Sequence, residues 1–196
     1  MRSYSKTRIL VEGALMIALA TILSNISFFS PPYGGSVTFE MIPLVLMSFR
    51  HGTKWGVFTA FVHSVLQLLI GFSNVMYCPT LLTQIACILL DYLIAFTALG
   101  FANMIAGPFG SNRQVGVAVG SLVVCLIRFV CSYISGAWLW GAYMPDTFTN
   151  VWWYSFVYNG SYMIPNTIIV VVAVSLLYKF APKFFVYQGQ AAHSKV

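Results

Sequence analysis

Six apolar runs separated by short polar breaks account for most of the chain, at 9–29, 37–49, 55–70, 81–102, 115–143 and 152–180. The breaks are written in turn chemistry: "SPPYGG", "RHGTK", "GFSN", "AGPFGSNR" and "YMPDTFTN". A helix that crosses the hydrocarbon region takes about 20 residues. Five runs are near that length or above it, and 37–49 is short, which predicts a tilted or partly interfacial segment. No internal repeat or low-complexity tract stands out, 188–196 reads as a short polar end, and 9–29 lacks the early small-residue cleavage site of a signal peptide.

Composition turns this pattern into a class. Charged residues are 7% of the chain, hydrophobic ones 59%, and mean hydropathy is +0.84. A soluble domain is nearer a quarter charged. The expected fold is therefore an all-α membrane protein, with six transmembrane helices in a single integral membrane domain over 1–196.

Charge orients the bundle. Arg2, Lys6 and Arg8 precede the first run, and Arg50 and Lys54 lie between the second and third. Arg113 lies between the fourth and fifth, and Lys179, Lys183 and Lys195 sit at or beyond the end of the sixth. The other connections hold no Lys or Arg. The positive-inside rule then puts both termini in the cytoplasm of a multi-pass cell-membrane protein. The net charge of +6 follows from topology and contact with anionic lipid, and nothing in it asks for nucleic acid.

Reactive chemistry is sparse. Cysteines 78, 87, 125 and 131 lack metal spacing, and histidines 51, 63 and 193 are scattered. There is no HExxH, no phosphate loop and no nucleophile–base pair, so the expectation is no enzyme, no metal and no cofactor. His63 reads as a polar residue facing other helices.

The polar residues inside the runs carry more information. Asp91 interrupts "LLDYLIAF", and Arg128 interrupts "VVCLIRFVCSY". An ionised group at that depth costs about 2.5–3.5 kcal/mol on insertion scales, so it faces a bundle interior or an aqueous cavity and finds a partner. The two could simply pair and lock two helices. Alternatively, they line a cavity in which Asp91 meets a polar or cationic ligand, with Arg128 orienting it. Arg128, Ser132, Gly136 and Trp140 follow one another at i, i+4 and so form one helical stripe, a poor lipid face and a plausible cavity wall. In the last run Ser155, Asn159, Tyr162 and Asn166 share a face, Tyr154 flanks it, and Pro165 frees a carbonyl one turn back. Trp138, Trp152 and Trp153 read as interfacial belt residues. "FSPPYGGSVTFE", uncharged until Glu40 and rich in glycine and proline, reads as a loop that folds inward as a lid. In the first run Ala14 and Ala18, with Gly13 and Ala20 nearby, have the small-xxx-small spacing that admits a partner helix.

Taken in series, "GGSVTFEMIPLVLMSFRHGTKWG", "QLLIG", "LLDYLIAFTALGFA", "ISGAWLWGAYMP" and "WWYSFVYNGSYMIPN" resemble the thiamine-specific substrate-binding subunits of energy-coupling factor transporters. The likeness runs from the first helix to about Lys183. It implies a six-helix subunit that binds thiamine from outside. It also implies docking on a transmembrane coupling protein that carries two cytoplasmic ATP-binding subunits, with Ala14 and Ala18 on the docking face. The family's binding positions fall on Gly35, Ser36, Asp91, Tyr92, Trp140, Tyr154 and Asn159. Some members carry a histidine that stacks on the thiazolium where this chain has Ser132. Serine cannot stack, so Tyr133 or Trp138 substitutes, or the ring rests on Trp140 alone. Another vitamin, a free-standing secondary transporter and a bundle that binds nothing are the competing expectations.

Overall fold

A computed structural model describes residues 6–32 and 34–185. Arg2, Lys195 and the polar stretch 188–196 lie outside the described residues. Among those residues the regular structure is helical, apart from one antiparallel bridge between Phe29 and Val37.

Seven helices follow in order: α1 Lys6–Ser24, α2 Met41–His51, α3 Thr53–Ile70, the short α4 Phe72–Met76, α5 Leu81–Phe109, α6 Arg113–Trp138 and α7 Val151–Phe180. Five of them (α1, α3, α5, α6 and α7) are long and apolar enough to cross a membrane. The sixth pass is α2, whose 11 residues reach only about 16 Å at 1.5 Å per residue. Almost all of α2 is buried.

Local chemistry sets the boundaries. Thr80 caps α5 reciprocally with Thr83, the Asn112 side chain accepts from the Val115 amide, and Asn150 accepts from the amides of Trp152 (2.8 Å) and Trp153 (3.2 Å). The structure corrects several expected limits. Residues 25–29 and 37–40 fall within the expected runs but are not helical, because Val37 accepts from the Phe28 amide at 3.0 Å and donates to the Phe29 carbonyl at 2.8 Å across the loop. In the other direction α5 runs on to Phe109, through a π-helical stretch at Ile88–Leu93 and a 3₁₀ turn at Ala98–Phe101. Pro165 lies inside α7, which continues through it.

The largest apolar core joins Leu44, Val45 and Phe49 of α2 to Leu99 and Ala102 of α5, Val117 and Val124 of α6, and Val170 and Val174 of α7. Glycine lets the backbones close up: a Cβ on Gly100 would lie 2.4 Å from the Val57 backbone, and one on Gly56 2.6 Å from Ser48 Cα. On the cytoplasmic side Glu12 of α1 accepts hydrogen bonds from Arg50 (2.7 Å) and pairs with His51 (2.6 Å). This cluster ties α1 to α2, and the sequence pattern gave no sign of it. The core therefore closes the inner half of the bundle, while the outer half is left to a cavity.

Candidate functional site

The cavity measures about 620 Å³ and opens between the outer ends of α5, α6 and α7. Its wall from α6 is Arg128, Ser132 and Gly136. Trp140, expected on the same helical stripe, lies past the end of the helix because α6 stops at Trp138, and it lines the cavity from there with Tyr143. From α7 come Tyr154, Ser155, Tyr158, Asn159 and Tyr162. The π-helical stretch of α5 presents two successive residues, Asp91 and Tyr92, and the loop before α2 adds Gly34, Gly35, Ser36 and Glu40. π-Helical segments inside longer helices frequently mark functional sites. Asn74 and Tyr77, from α4 and the residue after it, complete the lining.

Asp91 is the carboxylate best placed for a ligand. Its Oδ2 accepts from Trp140 Nε1 at 3.1 Å and from the weak Cys87 thiol donor at 3.5 Å. Beside it, the Tyr92 hydroxyl donates to the Gly71 carbonyl at 3.0 Å and accepts from Asn74 at 3.2 Å. Across the cavity Asn159 donates to the Ser155 carbonyl (2.9 Å) and accepts from the Tyr162 hydroxyl (2.5 Å). Gly136 is pressed against this pair: a Cβ there would come within 2.4 Å of Ser155 Oγ. Any side chain at Gly136 would push on the residues that shape the wall.

The expected pairing of Asp91 with Arg128 is not formed. Arg128 lies 3.7 Å from Glu40 instead, and its guanidinium sits over the Phe96 ring at 3.8 Å. Glu40 also receives His63 Nε2 at 3.1 Å and Gln67 Nε2 at 2.8 Å. The sequence pattern makes Glu40 the end of a loop, and the structure buries it. An acid flanked by "VTF" and "MIPL" was the available signal that it is buried. His63, fully buried and packed edge-on to Phe96, serves this network.

The loop folds inward as expected. Gly34 and Gly35 have φ of +121° and +74°, and a Cβ on Gly35 would strike the Tyr162 ring at 2.5 Å. Of the aromatics named to compensate for Ser132, only Trp140 reaches the cavity. Tyr133 packs among Phe129, Trp152 and Phe156, and Trp138 is 53% exposed on the outer surface. Tyr154, Tyr158 and Tyr162 line the cavity in a ladder, with centroids 5.6 and 6.3 Å apart. Ala14 and Ala18 are on the exposed face of α1, away from the cavity. Among the described residues no cluster of His, Cys, Asp or Glu could hold a metal ion, and all four cysteines are buried thiols.

Comparison with known proteins decides the family. The model of the thiamine transporter protein family matches residues 10–186. The chain belongs to this family. A thiamine transporter, ThiT, from Bacillus subtilis is 39% identical over 89% of this chain and 92% of its own length. ThiT from Lacticaseibacillus paracasei is 28% identical over 95% and 94% respectively. The structure of ThiT from Listeria monocytogenes has the same fold, with a TM-score of 0.70 at 23% identity over 90% of this chain. The relatives in this family are named as transporters rather than enzymes. Family and helices together make this a multi-pass bacterial membrane protein.

Proposed function

We propose that this chain is the thiamine-binding subunit of an energy-coupling factor importer, and that thiamine occupies the cavity from the outer side. The observation that carries the reading is Asp91: a carboxylate in the cavity wall whose hydrogen bonds come from neutral donors, the Trp140 indole and the Cys87 thiol. Such a group favours a cationic or amino-bearing ligand, and thiamine offers both a thiazolium and an aminopyrimidine. The thiazolium suits an aromatic face, and Trp140 with the tyrosine ladder supplies several. The aminopyrimidine suits the donors and acceptors of Asp91, Tyr92 and Asn159. Gly35 and Ser36 close over it, Tyr154 flanks it, and Ser132 leaves room where a histidine would stand. Arg128 supports the site by neutralising Glu40.

Transport is assigned to a complex, because the chain shows no nucleotide motif of its own. Ala14 and Ala18, exposed on α1, are the proposed seat of the coupling subunit, which would carry the two ATP-binding subunits. The test is titration of the purified protein with thiamine by calorimetry and tryptophan emission. Heat with quenching is expected, and silence in both would remove thiamine as ligand. Vesicles holding this protein alone should bind thiamine without accumulating it under any ion gradient. Ala14→Trp and Ala18→Trp should abolish uptake in cells and leave binding intact. Uptake by the lone subunit driven by a proton or sodium gradient would overturn the assignment to a complex.

A further inference from the structure

The loop over the cavity is tied to α7 at two depths. The deep tie is Asn166, whose Oδ1 accepts from the Thr38 amide at 2.9 Å and whose Nδ2 donates to the Ser36 carbonyl at 2.8 Å. Thr38 and Asn166 are both buried. The shallow tie is Tyr158, two turns further out along α7. Its hydroxyl donates to the carbonyl of Gly34 at 2.8 Å and also reaches that of Pro32, both in exposed positions. We infer that Tyr158 is a positioning residue, a latch whose hydroxyl holds the tip of the loop shut and thereby sets how fast a bound ligand leaves.

Energetics separate the two ties. Breaking a buried hydrogen bond strands groups away from water, whereas water replaces the partner of an exposed one at small cost. The tip therefore opens while the Asn166 pin holds, and Gly35, at positive φ, lies between the two. The Tyr158 ring stays fixed, because Tyr154 and Tyr162 bracket it at 5.6 and 6.3 Å. One side chain thus offers a cavity-lining ring and a hydroxyl directed at the lid.

The role in ligand release rests on the function proposed above, but the latch itself has a ligand-independent readout. Tyr158→Phe removes the hydroxyl and keeps the ring. In ligand-free protein in lipid nanodiscs, amide exchange over 27–38 should speed up by about fivefold, the factor expected for one net hydrogen bond, while exchange in α6 stays unchanged. In stopped-flow fluorescence, thiamine dissociation should rise by a similar, roughly fivefold factor, with association within about twofold and the saturating quench preserved. Unchanged exchange over 27–38, exchange that rises equally in α6, or faster exchange without faster dissociation would each overturn the latch. If the parent protein fails to bind thiamine, the proposed ligand falls, and the exchange comparison alone decides whether Tyr158 holds the loop.

Discussion

Glu40 and Asp91 reach the same cavity, but Glu40 arrives surrounded. His63 and Gln67 hold one of its oxygens, and Arg128 lies 3.7 Å from the other. Asp91 has an indole N–H, a thiol and the Ser135 hydroxyl beside it. A carboxylate that is already paired belongs to the architecture, because removing any partner strands the rest. One supplied only with neutral donors keeps lone pairs for something that enters. On the function proposed above the two acids divide the work: Glu40 holds the mouth of α2 to α3 and α6, and Asp91 is left to meet the ligand.

The largest effect should come from breaking the paired end. Glu40→Leu leaves Arg128, 15% exposed, without its carboxylate, and leaves His63 and Gln67 without an acceptor. Loss of one member of a buried pair costs 3–5 kcal/mol, and the partial exposure of Arg128 puts the expected destabilisation near the lower end, about 3 kcal/mol. Thermal unfolding in detergent reads this directly. A midpoint equal to that of the parent would mean that Glu40 is no structural keystone.

At the other end the consequences should reverse. Asp91→Asn should weaken thiamine binding by more than about 1.5 kcal/mol, the lower range for a hydrogen bond to a charged group, while the unfolding midpoint barely moves. Calorimetry and thermal unfolding on one preparation measure both. Equal, mild losses in each would make Asp91 a second structural acid and erase the contrast.

The Asp91 half of this division is legible in the sequence, but neither the role of Glu40 nor the pairing behind it is. Lipid demands long apolar stretches, so the passes could be read from hydropathy, and i, i+4 spacing brings Arg128, Ser132 and Gly136 to one wall, while Trp140 joins it from beyond the helix end. Pairing between helices has no such period. Asp91 and Arg128 are the charges in the middle of long apolar runs, so sequence alone matches them to each other, whereas the short α2 brings Glu40 inward to Arg128. The start of α2 was misplaced for a related reason: Val37 is apolar because it packs under the loop, with Tyr162 and Met163, rather than because it is helical. Nor does periodicity disclose the π-helical turn at Ile88–Leu93, which changes the phase of α5 where the site needs it. Tyr158 stood inside a recognised motif, but a hydroxyl aimed at backbone carbonyls leaves no mark in sequence.

Arg128→Met gives an intermediate effect that sharpens the contrast. Glu40 keeps His63 and Gln67 in this variant, so the expected loss is about 1–2 kcal/mol of stability, below that of Glu40→Leu. Thiamine affinity should follow the wild type closely, measured by the same titration. A loss of binding as large as that of Asp91→Asn, with normal unfolding, would instead bring Arg128 into direct contact with the ligand.

The smallest expected effect is at Cys87, and it tests the other half of the comparison. If Asp91 were held in place by the protein, its donors should matter, as they do for Glu40. The Cys87 thiol is a weak donor at 3.5 Å, and the Trp140 indole at 3.1 Å is the stronger tie. Cys87→Ala removes the thiol within a small apolar cluster of Val75, Cys78 and Tyr92, so its packing loss is slight. Affinity for thiamine should then change by less than about 0.5 kcal/mol, the low end for a neutral hydrogen bond. His63→Ala is the matched control at the other acid, where a fully buried donor at 3.1 Å is lost from a saturated carboxylate. It should lower the unfolding midpoint clearly more than Cys87→Ala does. If Cys87→Ala weakens binding as much as Asp91→Asn, the carboxylate depends on its protein donors for position, and the idea that its lone pairs are kept for the ligand fails.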